Sequence, residues 1–342
     1  SCVRNSVMDS RYVEHNKAAI GKLTDDVMMS CSRLPSLFGK NKYSSPNEEL
    51  QKSFKALQPD YERPVIENDP IHFGNVSEPY NLEHAGKKLN MKVKTGIEHP
   101  YLHDTLPLAG SVDGIGLATN QTIKTDEEKG VYCFNENGKI IDSLDIDGPG
   151  ILEAKLVGSY PTEVPDPNKG PIQVQGLMMC SGLTWSAVSI LYQGMYHKVY
   201  VYKANPVLQK RIEEEVIEFD KRIKTYKRDG VTDWYPIFRP NEGPDVYTLD
   251  DGLPTLKLTE ELAGVAELIL DAKENIKNTQ IYLERSQAEL MSFMENHQFA
   301  EGHGIKLEWG KTSPRKEYTV PANPGGRSKS LKISLVEEDK NE

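Results

Sequence analysis

The chain has no apolar run approaching the ~18 to 20 residues that a membrane-spanning helix needs, and its first residues lack the hydrophobic stretch of a secretory leader. The expectation is a soluble intracellular protein. Its four cysteines, Cys2, Cys31, Cys133 and Cys180, are scattered, with no C-x-x-C pair for zinc and no cluster for an iron–sulfur centre. They read as reduced thiols used for packing. There is no excess of positive charge either: 41 Lys and Arg against 51 Asp and Glu leave a formal net charge of −10. That argues against a protein that coats nucleic acid indiscriminately, though not against one with a locally basic groove.

At 342 residues the chain can bury a substantial core. The first 60 or so residues read as mainly helical, and Ser44-Ser45-Pro46 followed by Glu48 and Glu49 is a helix start: a hydroxyl cap, proline at the first position and acids facing the dipole. From about residue 100 to 204 short β-like runs take over. "GVYCFNENGKIIDSL" places two of them around an Asn-Gly, which predicts a hairpin. "ILEAKLVG" predicts a strand, "PIQVQGLMMCSGL" a helix, and "AVSILYQ" and "KVYVYKA" two more strands, giving a mixed α/β core. Residues 207–228 have the spacing of an amphipathic helix, and a Gly/Pro/Asp-rich connection follows to Pro254. Thr259 then caps a long helix in which Leu262, Ile269, Ile276, Leu283 and Leu290 recur every seven residues. The companion row Val265, Ala272, Thr279, Ser286 and Phe293 is weak, so the stripe is expected to pack on the chain's own core or in a helical hairpin. The expected organisation is a core over 1–228, a linker over 229–255, the long helix over 256–300, and a basic hairpin-like segment with an acidic, disordered tail over 301–342.

Within "GPGILEAKLVG", Glu153 and Lys155 are two residues apart on a strand, so they share one face, with their flanking apolar residues on the other. A solvated surface pair would have the same pattern. Upstream, "LPLAGSVDGIGLA" is a second short apolar segment and carries Asp113. If the two strands are neighbours, Asp113, Glu153 and Lys155 converge. Two carboxylates offer hard oxygen ligands to Mg²⁺, which meets its substrate through phosphate oxygens, and a lysine beside them orients water and steadies charge on the phosphate. That chemistry is phosphodiester hydrolysis. Asp147, in "DIDGPG", lies nearer in sequence to Glu153 but sits in a turn-forming context.

The order Asp, then Glu-x-Lys, resembles the PD-(D/E)XK nuclease core. With "SCSRLPSLFGKNKYSSPNEEL" (30–50), "GNVSEP" (74–79) and "IQVQGLMMCSG" (172–182) in the same order, the chain resembles the YqaJ-type viral recombinase family, the family of phage lambda exonuclease, over roughly residues 28–225. The resemblance implies a mixed central sheet flanked by helices, here extended by the long helix and a small basic tail. It implies metal ligation by Asp113 and Glu153, with the carbonyl of Ala154 and the helical Glu78 as further ligands, and water activation by Lys155. Gln173 matches the first glutamine of the family's Q-V-Q helix, with Gln175 as the weaker choice. Ser32 matches a serine that binds a terminal 5′ phosphate, and Ser111 one beside the catalytic aspartate. Where the family has an arginine seven residues before Ser32, this chain has Asp25, and Lys22 or Arg33 stands nearest as a replacement cation.

What the resemblance implies for function is a Mg²⁺-dependent 5′-to-3′ exonuclease on double-stranded DNA ends, using two ions, with Mn²⁺ able to substitute, and leaving 3′ single strands. It further implies a cytoplasmic site of action in a bacterial host, hand-over to a single-strand annealing protein and a homo-oligomer such as a trimeric ring. The alternatives are an endonuclease or single-strand nuclease on the same core, and an inert DNA-binding or assembly protein. Several other residues stand as bland or functional alternatives. His99 and His103 are potential metal ligands or loop residues. Tyr192, Tyr196, Tyr200 and Tyr202 are base-stacking groups or sheet packing, and the cations between Lys311 and Lys332 are a backbone-tracking patch or a solvated hairpin.

Overall fold

The computed structural model describes residues 24–64, 68–247, 250 and 252–310. Cys2, Lys22 and the Lys/Arg-rich stretch after Lys311 lie outside them. The chain divides into two compact units, Ser1–Phe238 and Arg239–Glu342. The first runs on past the long amphipathic helix because Tyr235 exchanges backbone hydrogen bonds with the Asn47 side chain (2.8 and 3.0 Å) and lies under the Arg222 guanidinium.

In the first unit β1 (Met29–Ser30) leads through a 3₁₀ turn into α1 (Leu34–Leu37), followed by α2 (Pro46–Ala56) and α3 (Asp69–Lys88). Ser45 and Glu48 close a reciprocal capping box at the start of α2, as the Ser-Ser-Pro signal predicts. Then come β2 (Lys92–Lys94), β3 (Tyr101–Leu102), β4 (Leu108–Gly110), β5 (Gly114–Lys124), β6 (Val131–Phe134), β7 (Ile140–Ile141) and β8 (Ser143–Val157). α4 (Pro171–Ser181), β9 (Trp185–Tyr192), β10 (Tyr196–Lys203) and α5 (Pro206–Asp229) complete it. Seven strands form one mixed sheet in the order β2-β5-β8-β9-β10-β6-β7, and β1-β4-β3 form a small second sheet. The Asn-Gly hairpin is β6–β7, and β6 joins the far side of the sheet by pairing parallel to β10.

Strand alternation sorts side chains to two faces. Ile151, Val188 and Ile190 belong to a core shared with Leu50 and Phe54 of α2, Val174 and Leu177 of α4, and Ile212, Val216 and Phe219 of α5. Leu152, Ala187 and Trp185 belong to a second core, under Leu82, Ala85 and Leu89 of α3 and its end. The result is a mixed sheet between helical layers, the α/β arrangement the resemblance implies. Tyr192, Tyr200 and Tyr202 are buried in this packing, and only Tyr196 is exposed. Cys31, Cys133 and Cys180 are free and buried.

In the second unit a short helix α6 (Gly243–Val246) precedes α7 (Glu260–Met294), capped by Thr259 as expected, and a hairpin of β11 (Phe299–Gly302) and β12 (Ile305–Glu308). Along the α7 stripe Leu262, Ile269, Ile276, Leu283 and Leu290 find no burial within the second unit, and Met294 is the one buried residue among those described in the helix. With Ala, Thr and Ser in the companion row, the stripe is too narrow to bury against a broad surface. No helix among the described residues is long and apolar enough to cross a membrane.

Candidate active site

The site exists because β5 stops short. β5 and β8 run antiparallel with Gly114 opposite Leu152, and β8 continues to Val157 without a β5 neighbour. Asp113 stands at the point where β5 begins, and its Oδ2 accepts the Ala154 N–H at 2.9 Å, taking the place of the next ladder carbonyl. A residue in an antiparallel ladder turns its N–H and C=O toward the same neighbour, so the Ala154 carbonyl faces the same vacated edge. On its other side β8 is locked to β9, with Glu153 opposite Val188 and Lys155 opposite Ile190.

Glu153 and Lys155 point to the α4 face. Lys155 Nζ donates to Glu153 Oε1 (2.7 Å) and to Gln173 Oε1 (2.9 Å), while Gln173 Nε2 donates to the same Glu153 Oε1 (2.7 Å). This closed ring is far from a solvated surface pair, since the Glu153 side chain is only 4% exposed. Burial, with the charge of Asp113, outweighs Lys155 and Gln173 and pushes the Glu153 carboxyl up to about 7. Burial works to lower the Lys155 ammonium, but the carboxylates of Glu153, Asp113 and Glu78 outweigh it and hold it above its ordinary value.

Glu78 on α3 and Asp113, Glu153, Ala154 and Lys155 line one cleft of about 290 Å³. The structure thus gathers Asp113, Glu153, Lys155, Ala154 and Glu78, with Gln173 bonded to them from α4. Gln175 is turned away: it accepts the Asn205 N–H and donates to the Lys203 carbonyl, joining α4 to the start of α5. Asp147 accepts the Asn120 N–H where the β5–β8 register shifts, a bulge contact. His103 Nδ1 accepts the N–H groups of Thr105 and Leu106 in a turn.

Ser32 lies in the 3₁₀ turn after β1 and Ser111 directly follows β4; these two strands pair with Ser30 opposite Ala109, and Ser111 lies two residues from Asp113. Ser32 is exposed and bonds Ser30 Oγ (3.1 Å). Arg33 has a different engagement: its N–H groups are directed at Glu49 Oε2, Ser53 Oγ and the carbonyls of Asp26, Met28 and Glu49. All five donors of a guanidinium are used there, so none remains for a phosphate. Asp25 caps the Val27 N–H.

Among the described residues no group of three or more His, Cys, Asp or Glu side chains is placed to hold a metal ion by itself. The cleft nevertheless suits a hard cation. Glu153 Oε2 is buried without a hydrogen-bond partner, an orphaned carboxylate oxygen that costs free energy unless something positive meets it. Mg²⁺ takes only one or two carboxylates from a protein and completes its shell with water and phosphate oxygens. Asp113 and Glu153 with the Ala154 carbonyl fit that demand, and Glu78 is a further carboxylate lining the same cleft.

Sequence reasoning missed Asn81, one turn beyond Glu78 on α3, whose Nδ2 donates to the Lys155 carbonyl at 3.1 Å. Its spacing of three from Glu78 was the available signal.

No protein-family model and no curated protein matches this sequence. The chain's structural neighbours include alkaline and phage-related exonucleases. LHK-Exo from Laribacter hongkongensis is 15% identical with a TM-score of 0.39, over 66% of this chain and 97% of that one. LHK-Exo in complex with dAMP gives 17% identity and 0.39 over 60% and 94%. A phage-related exonuclease from Haemophilus somnus 129PT gives 12% and 0.38 over 60% and 96%.

Proposed function

We propose that this chain is a Mg²⁺-dependent deoxyribonuclease that degrades linear duplex DNA from its ends, 5′ to 3′, and leaves 3′ single strands for recombination. The observation that carries the reading is the Glu153–Lys155–Gln173 ring beside Asp113, with an unsatisfied carboxylate oxygen in a cleft large enough for a phosphate. Asp113, Glu153, Glu78 and the Ala154 carbonyl would hold the metal. When bound, Mg²⁺ supplies Lewis-acid polarisation of a phosphoryl oxygen and a more acidic water.

The protein's own groups do the rest. Lys155, kept charged by its carboxylate neighbours, presents a third N–H toward the cleft to orient water and balance negative charge as it builds on phosphorus. Gln173 fixes that ammonium by accepting one of its protons and steadies Glu153 by donating to it. Placement on β8, paired to β9 at both Glu153 and Lys155, avoids reorganisation during the reaction. Ser111 and Ser32 are the hydroxyls offered to DNA phosphates, and end preference rests on them rather than on Arg33.

The test is a time course in Mg²⁺ on a linear duplex with distinct 5′ and 3′ labels, beside covalently closed circular DNA and a Lys155→Ala control. Early release of the 5′ label, an intact circle and an inactive variant are expected. First loss of the 3′ label would refute the polarity, nicking of the circle would make it an endonuclease, and equal turnover by Lys155→Ala would refute the site.

A further inference from the structure

The amide of Asn81 is fully engaged. Nδ2 donates to the carbonyls of Lys155 (3.1 Å) and Ser189 (3.2 Å). Oδ1 accepts from Ser189 Oγ (2.6 Å) and from His197 Nε2 (2.9 Å). Because an amide oxygen only accepts, the ring tautomer that fits this contact carries its proton on Nε2, which also lies 2.8 Å from Ser189 Oγ. One side chain therefore joins α3 to both β8 and β9, at the backbone of the catalytic lysine.

Burial in α3 begins at Asn81. The buried residues of the helix are Asn81, Leu82, Ala85 and Gly86, none of them before position 81, while Ile71, Phe73, Val76 and Tyr80 are exposed. Pro79 lies inside the helix and has no N–H for the Asn75 carbonyl, which weakens the turn that carries Glu78. Glu78 thus stands one turn before the point at which α3 is bonded to the sheet through Asn81.

We propose that Asn81 is a positioning residue that sets the placement of the Glu78 carboxylate relative to Asp113 and Glu153, by tying α3 to the β8–β9 ladder at Lys155. This rests on the reading of the cleft as a divalent-cation site. It gives Asn81 a role toward the metal without any contact with it, and it makes Ser189 and His197 the groups that orient the amide.

A double-mutant cycle on the full chain tests it, with Asn81→Leu and Glu78→Gln read by calorimetric titration with Mg²⁺ or Mn²⁺ alone and, separately, by cleavage of a linear duplex. Asn81→Leu is expected to weaken metal binding about 10-fold, the scale for losing a group that orients a ligand, and to have no effect in the Glu78→Gln background, where no carboxylate remains to be positioned. Because Leu strands two carbonyls and endangers folding, Ser189→Ala gives a second reading. It removes the 2.6 Å bond to the amide together with that hydroxyl's contacts to His197 Nε2 (2.8 Å) and the Asn81 carbonyl (3.4 Å), while leaving Nδ2 on both strand carbonyls, and a smaller loss that also vanishes with Glu78→Gln is expected. Equal losses in both backgrounds, or unchanged affinity in a folded Asn81→Leu, overturn the proposal. Wild-type protein that shows the coupling in metal binding but cleaves no DNA keeps the positioning role and overturns the nuclease. Protein that binds neither cation overturns both.

Discussion

Replacing Glu153 by Gln is expected to change how the stability of the metal-free protein depends on pH. In the unfolded chain this carboxyl ionises near its ordinary value of 4.5, while burial in the fold pushes it up to about 7. Between those values the unfolded state binds fewer protons, so the wild-type contribution is fully present below pH 4.5 and is lost as pH rises through 7. The loss is about 3 kcal/mol at 1.36 kcal/mol per tenfold change in ionisation, and the carboxyl is buried enough that solvent screening takes little from it. Gln cannot ionise. The stability difference, Glu153→Gln minus wild type, should therefore grow by about 3 kcal/mol between pH 4.5 and 7 and then level off. The difference must be used because His197 works in the opposite sense: burial first, then Lys88 and His84, lowers it to about 3, so its contribution is present above 6.5 and is lost as pH falls toward 3. Urea unfolding of both proteins in EDTA, in half-unit pH steps, reads the quantity directly. A difference constant across that range would refute the reasoning.

Mg²⁺ should raise the thermal midpoint of the wild type more at pH 8 than at pH 5.5, where Glu153 holds its proton, and this pH contrast should shrink in Glu153→Gln; scanning fluorimetry checks it. Arg33→Ala should cost about 1.5 to 3 kcal/mol, because it removes the 2.6 Å charge-assisted bond to buried Glu49, which keeps Lys52 and Ser44 on its other oxygen. Burial raises that carboxyl, yet Arg33, Ser44 and Lys52 together hold it below its ordinary value, so the pair's contribution is lost as pH falls through the lowered pKa, and acid titration of urea midpoints follows it. Gly150→Ala should destabilise by at least about 1 to 3 kcal/mol, measured by urea unfolding, since the added Cβ would lie 2.1 Å from the Trp185 ring.

The parts of the site that lie on neighbouring strands were legible, because period-two alternation fixes which residues share a face: Asp113, Glu153 and Lys155 meet as their pattern implies. Gln173 was legible only through resemblance, as nothing in a helix of apolar residues marks one glutamine as facing a carboxylate. Arg33 shows the limit of local reading. A cation beside a candidate phosphate-binding serine was consumed by Glu49, sixteen residues on, and by carbonyls that only the folded chain brings near. The extent of β8 was hidden for another reason. Gly148-Pro149-Gly150 reads as a turn, yet the strand runs through it, because Pro149 pairs only with Leu117 of β5 while β9 first pairs at Ile151. The missing proline N–H faces no partner strand there. The small β1-β4-β3 sheet was too short to leave a periodic signal.

The substitution of a side-chain carboxylate for a strand carbonyl at Ala154 makes one backbone amide a native sensor. In a nitrogen-15 correlation spectrum this N–H, bonded to a charged oxygen, should resonate downfield of its neighbours in β8, and the resonance should move as Asp113 turns toward a cation. Its exchange with deuterium follows the same bond, so it reads the occupancy of the cleft without a label, a substrate or turnover.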